Sequence, residues 1–210
     1  EALREKMPKN SVAVFFSNAE RNRSNDVDYV YHQDPNFYYL TGYKEPNAVL
    51  VVFSENQTNT EGKIYNEILY VQERNPERER WTGYRLGVEG AKQQLGFDMA
   101  FNGNEFLNSG IEYAKYDKIL FDSFKNDIRD SRHDDADLYD LIKAFNNQLQ
   151  VTETTIETDL KNDSDIKNQT QMKERKAVVD NSTLSKLMGG LREIKAPEEM
   201  KLLTKAIRIS

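Results

Sequence analysis

Few residues in this chain could carry out acid–base or nucleophilic chemistry. There are two histidines, His32 and His133, and no cysteine. A chain without cysteine has no disulfides, no thiolate zinc ligands and no thiol nucleophile. Because the two histidines lie in unrelated sequence contexts, a zinc site of the usual kind is not expected.

The acidic run that follows His133 is a candidate for a cation site. Asp134, Asp135 and Asp137 could offer carboxylate oxygens to a hard cation. Acidic residues are also typical of the first turn of a helix, where they offset the positive end of the helix dipole. We favour the helix start, and we expect no metal ion or other cofactor in this chain.

The short motifs of nucleophilic and nucleotide-dependent enzymes are also missing. No Gly-x-Ser-x-Gly occurs in the sequence, and no serine has an evident histidine partner. The segment from Gly83 to Gly87 lacks the spacing and the lysine of a phosphate-binding loop. The sequence therefore predicts neither serine catalysis nor nucleotide binding.

The balance of charges argues against a nucleic-acid partner. The 210 residues include 29 Lys and Arg against 35 Asp and Glu, a formal net charge of −6, so the chain lacks the positive field that neutralises phosphates. No apolar run approaches the roughly 20 residues of a membrane-spanning helix, and three of the first five residues are charged, unlike a signal peptide. We expect a cytoplasmic protein with no nucleic-acid and no membrane partner.

Short apolar runs separated by helical patterns predict an α/β domain. The strand candidates are Val12–Phe16, Ala48–Phe53, Ile64–Val71 and Lys118–Phe121. The helix candidates are Val88–Leu95, Asn104–Ala114, Asp134–Gln148, the apolar series Leu184–Leu191 and a last helix near Pro197. Between them, Pro35 and Gly42 suit the start and the exit of a compact aromatic corner.

The last third of the chain is uneven in composition. Thr158–Lys176 is rich in Asp, Asn, Lys and Thr and predicts a long surface loop. After Pro197, apolar residues such as Leu203 and Ile207 share one stripe of a predicted helix that lacks an evident partner. We therefore expect a fragment that stops before a further domain.

Three segments together resemble the N-terminal domain of aminopeptidase P, a member of the creatinase and prolidase N-terminal domain family. They are Arg23–Leu50, with Asp26 and the run Phe37-Tyr-Tyr-Leu-Thr-Gly42; Glu79–Gly87, with Arg80-Trp81-Thr-Gly83; and Leu191–Glu199, with Arg192-Glu-Ile-Lys-Ala-Pro197. The resemblance implies a mixed β-sheet flanked by helices, with a ribonuclease H-like arrangement and a C-terminal linker helix. It also divides the chain into this domain at 1–176 and, at 177–210, a linker with the first helix of a catalytic domain.

What the resemblance implies about function is a supporting role in a metallopeptidase. Xaa-Pro aminopeptidases remove an N-terminal residue that precedes proline, and they use two divalent metal ions, typically manganese. Those metals are held by two Asp, one His and two Glu of a later domain, and none of those motifs precedes Ser210. The resemblance thus implies that this chain alone is inactive, that it shapes the cleft for a peptide with proline second, and that it builds a homo-oligomer.

Four residues are carried over as candidates for the site. Asp26 and Trp81 match residues at the rim of the substrate cleft; the competing interpretations are an Asp that caps its own loop and a Trp that packs on Tyr84. Arg85 and Tyr38 match positions that we interpret as structural support. The run around Tyr38 is expected to pack in the core or the cleft wall.

Two alternatives stay open. The first is the corresponding domain of a prolidase, which cleaves dipeptides and shares the fold. The second is a stand-alone peptide- or histone-binding module, like the homologous domain of the FACT histone chaperone. A stand-alone domain should end in a capped helix, so the unpartnered apolar stripe after Pro197 favours the peptidase.

Overall fold

The strands form one mixed sheet and one small hairpin in the computed structural model, which describes residues 1–125, 127–131, 135–149 and 177–209. The strands are β1 Ser11–Phe16, β2 Asn22–Ser24, β3 Val27–Asp28, β4 Val49–Thr58, β5 Ile64–Val71, β6 Ala100–Asn102, β7 Lys118–Leu120 and β8 Val178–Asp180. The six-stranded sheet has the order β6-β5-β4-β1-β7-β8, and β2 pairs with β3 alone.

One strand of the sheet runs against the others. The strand β4 is antiparallel to both β1 and β5, with Val14 opposite Val51, whereas the pairs β1–β7, β7–β8 and β5–β6 are parallel. Every strand except β4 therefore points its carboxyl end to the same edge of the sheet. In α/β folds, ligands bind at that edge.

Helices cover both faces of this sheet. They are α1 Ala2–Lys6, α2 Pro35–Thr41, α3 Pro76–Thr82, α4 Gly87–Leu95, α5 Gly103–Phe106, α6 over 138–149, α7 Thr183–Glu193 and α8 Pro197–Ile209, with a 3-10 turn at Tyr113–Lys115. None of the described helices combines the length and the apolar character needed to cross a bilayer. The predicted α/β class, with a mixed sheet between helices, is confirmed.

Side chains that alternate along β1 enter two separate cores. Phe15 packs on one face of the sheet with Leu184 and Met188 of α7, and Val14 packs on the other face with Phe145 of α6. Since successive side chains of a strand point to opposite faces, a strand that is buried on both sides must lie inside the sheet. This is why the run Val12–Phe16 is apolar throughout.

Short-range signals define several of these elements. Asp34 begins α2, because its Oδ1 accepts hydrogen bonds from the backbone N–H of Asn36 and Phe37 at 2.9 and 3.0 Å. Gly42 ends α2 in the left-handed conformation, and Gly96 ends α4 in the same way. The predicted strands and the predicted start and exit of the aromatic corner are confirmed.

Two predictions differ from the structure. The helix predicted over Asn104–Ala114 is only the single turn α5, because Gly110, with a φ of 65°, reverses the chain before the 3-10 turn. The strand β8 was not predicted: it is three residues long, and it is recognisable only by its pairing with β7. The surface loop predicted at Thr158–Lys176 lies outside the described residues.

The segment after residue 176 contributes to the sheet and to the core. The strand β8 extends the sheet, and Leu184 and Met188 of α7 are buried in the hydrophobic core. By contrast, α8 has no buried residue. The division of the chain after residue 176 stays a prediction, but β8 and α7 pack as parts of the same α/β layers.

Candidate functional site

A cleft of about 680 Å³ opens at the carboxyl edge of the sheet. Its walls are the base of the β2–β3 hairpin, the loop Thr82–Arg85 that follows α3, and the segment 127–131. Glu45 and the two residues after it form its floor at the entry to β4. The cleft therefore lies between segments far apart in sequence that the sheet brings to one edge.

Asp26 lies at the tip of the hairpin that forms one wall. It is exposed, and within the described residues its carboxylate has no hydrogen-bond partner. The turn is stabilised instead by Asn22, whose Nδ2 donates to the carbonyl oxygens of Asn25 and Val27 at 2.9 and 3.3 Å. Asp26 itself is outside the cleft lining, although Asn22 and Asp28 of the same hairpin line it. Its carboxylate is thus free to meet a ligand at the rim.

Trp81 lies at the end of α3, beside the opposite wall. Its side chain is 90% exposed, so it does not pack against the rest of the domain. Tyr84 contacts Arg74 instead, with the guanidinium 4.1 Å from the ring centroid and a 2.9 Å hydrogen bond to the hydroxyl oxygen. The residues that follow Trp81 line the cleft, which places the indole at the outer rim.

The helix α3, which carries Trp81 near its end, is fixed locally by a salt bridge. Arg74 donates two hydrogen bonds to Glu79 of α3, at 2.6 and 3.0 Å, and this contact lowers the pKa of the Glu79 carboxyl below its usual range. Gly83 has a φ of 88° and a ψ of 168°, a conformation that is essentially restricted to glycine. The chain can therefore turn sharply after Trp81 and enter the cleft wall.

Arg85 and Tyr38 occupy different surroundings. The guanidinium of Arg85 donates to the backbone oxygen of Glu73 at 3.2 Å and lines the cleft, as expected of a supporting residue. Tyr38 is 46% exposed on α2 and is not part of the cleft lining, whereas Phe37 beside it is fully buried. The expectation that this run packs in the core or the cleft wall is wrong for Tyr38 and for Tyr39, which is 42% exposed, because successive residues of a helix face different directions.

Sequence reasoning missed the residue that joins the walls of the cleft. The carboxylate of Glu45 accepts a hydrogen bond from the backbone N–H of Leu86 at 2.7 Å and another from the hydroxyl of Tyr43 at 2.8 Å. Burial raises the pKa of the Tyr43 hydroxyl, and the neighbouring Glu45 raises it further. Glu45 lies within a segment that carries the family resemblance, but its role depends on a contact 41 residues away.

The cleft is closed at one side by an ion pair. Arg21 lies 2.8 Å from Asp127 and joins the chain before the hairpin to the segment after β7. This contact lowers the pKa of the Asp127 carboxyl, chiefly through the hydrogen bond from Arg21. Both groups are partly exposed, so the pair orders the wall more than it stabilises the fold.

The acidic residues near α6 do not match the metal centre that the resemblance implies. Asp130, Asp137 and Asp140 offer carboxylate oxygens within 4.8 Å of one another. Asp137, however, accepts hydrogen bonds from the backbone N–H of Asp140 and of Ser131, and so begins α6. A set of three Asp without His or Glu differs from the two Asp, one His and two Glu that hold the metals in the family. His133 and Asp134, at the start of the acidic run, lie outside the described residues. The helix-start interpretation is confirmed for Asp137.

Comparisons with known proteins agree with this fold. Residues 1–120 match the family model of the aminopeptidase P N-terminal domain. An Xaa-Pro aminopeptidase of Haemophilus influenzae is 41% identical over 100 residues, which cover 48% of this chain and 22% of that protein. An Arabidopsis thaliana protein, the mitochondrial intermediate cleaving peptidase 55, is 26% identical over 208 residues, or 99% of this chain and 33% of its own length.

Solved structures of the same family superpose on this chain. Aminopeptidase P of Pseudomonas aeruginosa is 27% identical, with a TM-score of 0.63 over 95% of this chain and 38% of its own. A variant of the Escherichia coli enzyme in complex with substrate is 26% identical, with a TM-score of 0.66 over 98% of this chain and 40% of its own. The chain thus spans about a fifth to two fifths of the proteins it matches, and it belongs to the aminopeptidase P N-terminal domain family.

Proposed function

We propose that this chain forms one side of the peptide cleft of an Xaa-Pro aminopeptidase. The catalytic groups of that enzyme would lie outside residues 1–210. The Haemophilus influenzae relative is an Xaa-Pro aminopeptidase, and this chain covers 22% of its length. The Escherichia coli structure at 26% identity contains a substrate. The sequence has no cysteine and no Gly-x-Ser-x-Gly motif, and the one acidic cluster among the described residues does not match the family's metal ligands, which fits a role in peptide binding rather than bond cleavage.

The observation that carries this proposal is a cleft at the carboxyl edge of the sheet with two chemically distinct exposed groups next to its lining. Asp26 lies at the tip of the hairpin whose residues Asn22 and Asp28 line the cleft, and Trp81 directly precedes the lining residues Thr82–Arg85. A carboxylate suits the ammonium or amide groups at the start of a peptide. An exposed aromatic ring suits the apolar face of proline. Together they fit a peptide with a free amino end and proline in second place.

We include a metal requirement and self-association in this proposal. The two divalent ions, with manganese as the expected metal, would be held by a domain that this chain does not contain. A second copy of the protein is the expected partner of exposed apolar residues such as Trp81 and Val30, which are 90% and 81% exposed. Large exposed aromatic and aliphatic side chains are enriched at protein interfaces. A cytoplasmic location stays a prediction.

The test compares the complete protein that carries this chain with residues 1–210 alone. Both are incubated with manganese and two tripeptides, Ala-Pro-Ala and Ala-Ala-Ala, and release of the first residue is measured. We expect cleavage of the proline peptide by the complete protein and none by residues 1–210. Cleavage by the short chain would contradict the proposal, and so would an inactive complete protein.

Two further functions differ in the substrate. The match to an intermediate cleaving peptidase covers 99% of this chain, so an intermediate cleaving peptidase is a second candidate. Equal cleavage of both tripeptides would favour it. Cleavage of the dipeptide Ala-Pro but not of the tripeptide would favour a prolidase, and peptide binding by an inactive complete protein would indicate a stand-alone module.

A further inference from the structure

Both walls of the cleft converge on a single residue of its floor. The side chain of Glu45 contacts the loop after α3, and its backbone contacts the segment that leads from the hairpin to α2. Glu45 lines the cleft, and it lies between Tyr43, which is almost fully buried, and the entry to β4. Glu45 therefore lies where the cleft floor meets the buried core.

The first contact fixes the loop wall. The Oε1 atom of Glu45 accepts a hydrogen bond from the backbone N–H of Leu86 at 2.7 Å. Leu86 precedes the first residue of α4 and has no side-chain group that could cap the helix. A carboxylate at this place satisfies a free N–H and interacts favourably with the positive end of the helix dipole. Glu45 thus anchors the end of the loop Thr82–Arg85, which follows Trp81.

The second contact fixes the hairpin wall. The backbone oxygen of Glu45 accepts a hydrogen bond from the Nε2 of Gln33 at 2.8 Å. The Oε1 of Gln33 accepts from the backbone N–H of Asn18 at 3.0 Å and from the hydroxyl of Tyr31 at 2.9 Å. Asn18 and Tyr31 flank the hairpin in sequence, so Gln33 ties both of its ends to the floor.

The Glu45 side chain is itself oriented by a buried partner. The hydroxyl of Tyr43 donates to Oε2 of Glu45 at 2.8 Å and accepts from the backbone N–H of Gln72 at 3.4 Å. Because Tyr43 is only 1% exposed, this hydroxyl cannot move far. One oxygen of the Glu45 carboxylate therefore accepts a hydrogen bond from the buried Tyr43, and the other accepts one from the Leu86 backbone at the end of the loop.

We propose that Glu45 is a positioning residue for peptide binding, which sets the spacing between the hairpin with Asp26 and the loop with Trp81. This inference rests on the proposed function. In this role Glu45 acts through its hydrogen bond to the backbone N–H of Leu86. Loss of its carboxylate should let the loop wall move while the sheet beneath it stays intact.

The experiment uses the complete protein with the variants Glu45→Ala, Glu45→Gln and Glu45→Asp. Hydrogen exchange of the peptide spanning residues 82–90 reports whether the loop is held. Steady-state kinetics with Ala-Pro-Ala separates KM from kcat. The control is Asp180→Ala, which removes hydrogen bonds at the start of α7, away from the cleft, and should lower the melting temperature to a similar extent.

We expect Glu45→Ala to speed exchange at the Leu86 amide by about tenfold, the effect of one lost hydrogen bond. KM should rise by roughly five- to tenfold with kcat changed less than about twofold, because the wall binds the peptide without touching the reacting atoms. Glu45→Gln keeps an acceptor oxygen and should restore both values. Asp180→Ala should change neither.

Other outcomes would overturn the inference. Unchanged exchange or unchanged KM in Glu45→Ala would show that Glu45 does not position the wall. If that variant does not fold, Glu45→Asp applies the same test, because its shorter side chain keeps the charge but cannot reach the amide. A wild-type protein without activity on Ala-Pro-Ala would reject the proposed function, and with it the role in peptide binding, whereas the exchange data would still show whether Glu45 holds the loop.

Discussion

Arg192 of α7 donates a hydrogen bond to the Oδ1 of Asn36 in α2 at 2.8 Å, across 156 residues of chain. Its guanidinium also lies 6.0 Å from the ring centroid of Tyr39. Both residues belong to segments that carry the family resemblance. The contact therefore ties the last turn of α7 to the aromatic corner in α2.

The first prediction concerns this contact. Arg192→Ala and Asn36→Ala should each lower the free energy of unfolding by about 1 kcal/mol, because each removes one partly buried hydrogen bond. In urea unfolding the double variant should lose less than the sum of the two. Lys195→Ala, a nearby exposed residue, should stay within about 0.5 kcal/mol of the wild type. Simple additivity would show that the two residues are not coupled.

The second prediction concerns the start of α7 and its pH dependence. The Asp180 carboxylate accepts from the hydroxyl of Thr183 at 2.6 Å and from the backbone N–H of Ser182 at 2.9 Å. These hydrogen bonds hold the pKa of Asp180 well below its usual value. The Asp180 carboxyl therefore binds a proton less readily in the folded chain than in the unfolded chain. Its contribution to the stability of the folded state is complete above the unfolded pKa of about 3.9 and is lost as the pH falls below that value.

Asp180→Asn tests this dependence. In urea unfolding at pH 5.5 the variant should be less stable than the wild type by about 1 kcal/mol, because an amide has one oxygen instead of two and loses one of the hydrogen bonds to Thr183 and Ser182. At pH 3 the difference should shrink, because the wild-type carboxylate is then partly protonated in the unfolded state. A difference of the same size at both pH values would mean that Asp180 does not titrate as described.

The third prediction concerns a buried hydroxyl. The Oη of Tyr113 is buried without a hydrogen-bond partner among the described residues, and burial raises the pKa of this tyrosine. Removing an unpaired polar atom should not destabilise the core, so Tyr113→Phe should keep or raise stability by up to about 1 kcal/mol. Tyr43→Phe, which loses two hydrogen bonds, should lower it. A clear loss in Tyr113→Phe would reveal a hidden partner.

The fourth prediction concerns Gly87, which joins the cleft loop to α4. Its φ is 64°, and a Cβ atom there would lie 2.5 Å from Cγ of Arg74. Gly87→Ala should therefore lose more than the roughly 1–2 kcal/mol cost of the left-handed conformation alone. Gly62→Ala is the control, because Gly62 has a φ of 81° but no atom within 4 Å. Equal melting temperatures for the two variants would mean that Arg74 moves aside without cost.

The fifth prediction concerns the rim of the cleft. In the complete protein, Asp26→Ala and Trp81→Ala should raise KM or lower kcat/KM for an Xaa-Pro peptide by about tenfold, through loss of a charged contact and of an aromatic surface. Thermal unfolding should hardly change, since both side chains are exposed. Asp98→Ala, another exposed carboxylate outside the cleft lining, is the control. Unchanged kinetics would remove either residue from the site.

Local chemistry made much of the fold predictable. Asp34, Pro35 and Gly42 lie within one short segment, and each acts on backbone groups only a few residues away. The same holds for Gly96 at the end of α4, and the apolar strands were recognisable from their composition alone. Such signals survive in the sequence because the partners are neighbours. By contrast, α5 was overestimated, since the reversal at Gly110 depends on a conformation that the surrounding polar residues do not reveal.

By itself the sequence determined the α/β class, the absence of thiol chemistry and the family to which the segments around Asp26, Trp81 and Arg192 belong. Only the tertiary structure decided that β8 joins the sheet, that Trp81 faces away from the core and that Glu45 reaches Leu86. Side chains near in sequence can interact without any tertiary structure. Contacts across tens of residues form only after the sheet has placed its edges together, because the path of the chain, rather than its local composition, sets those distances.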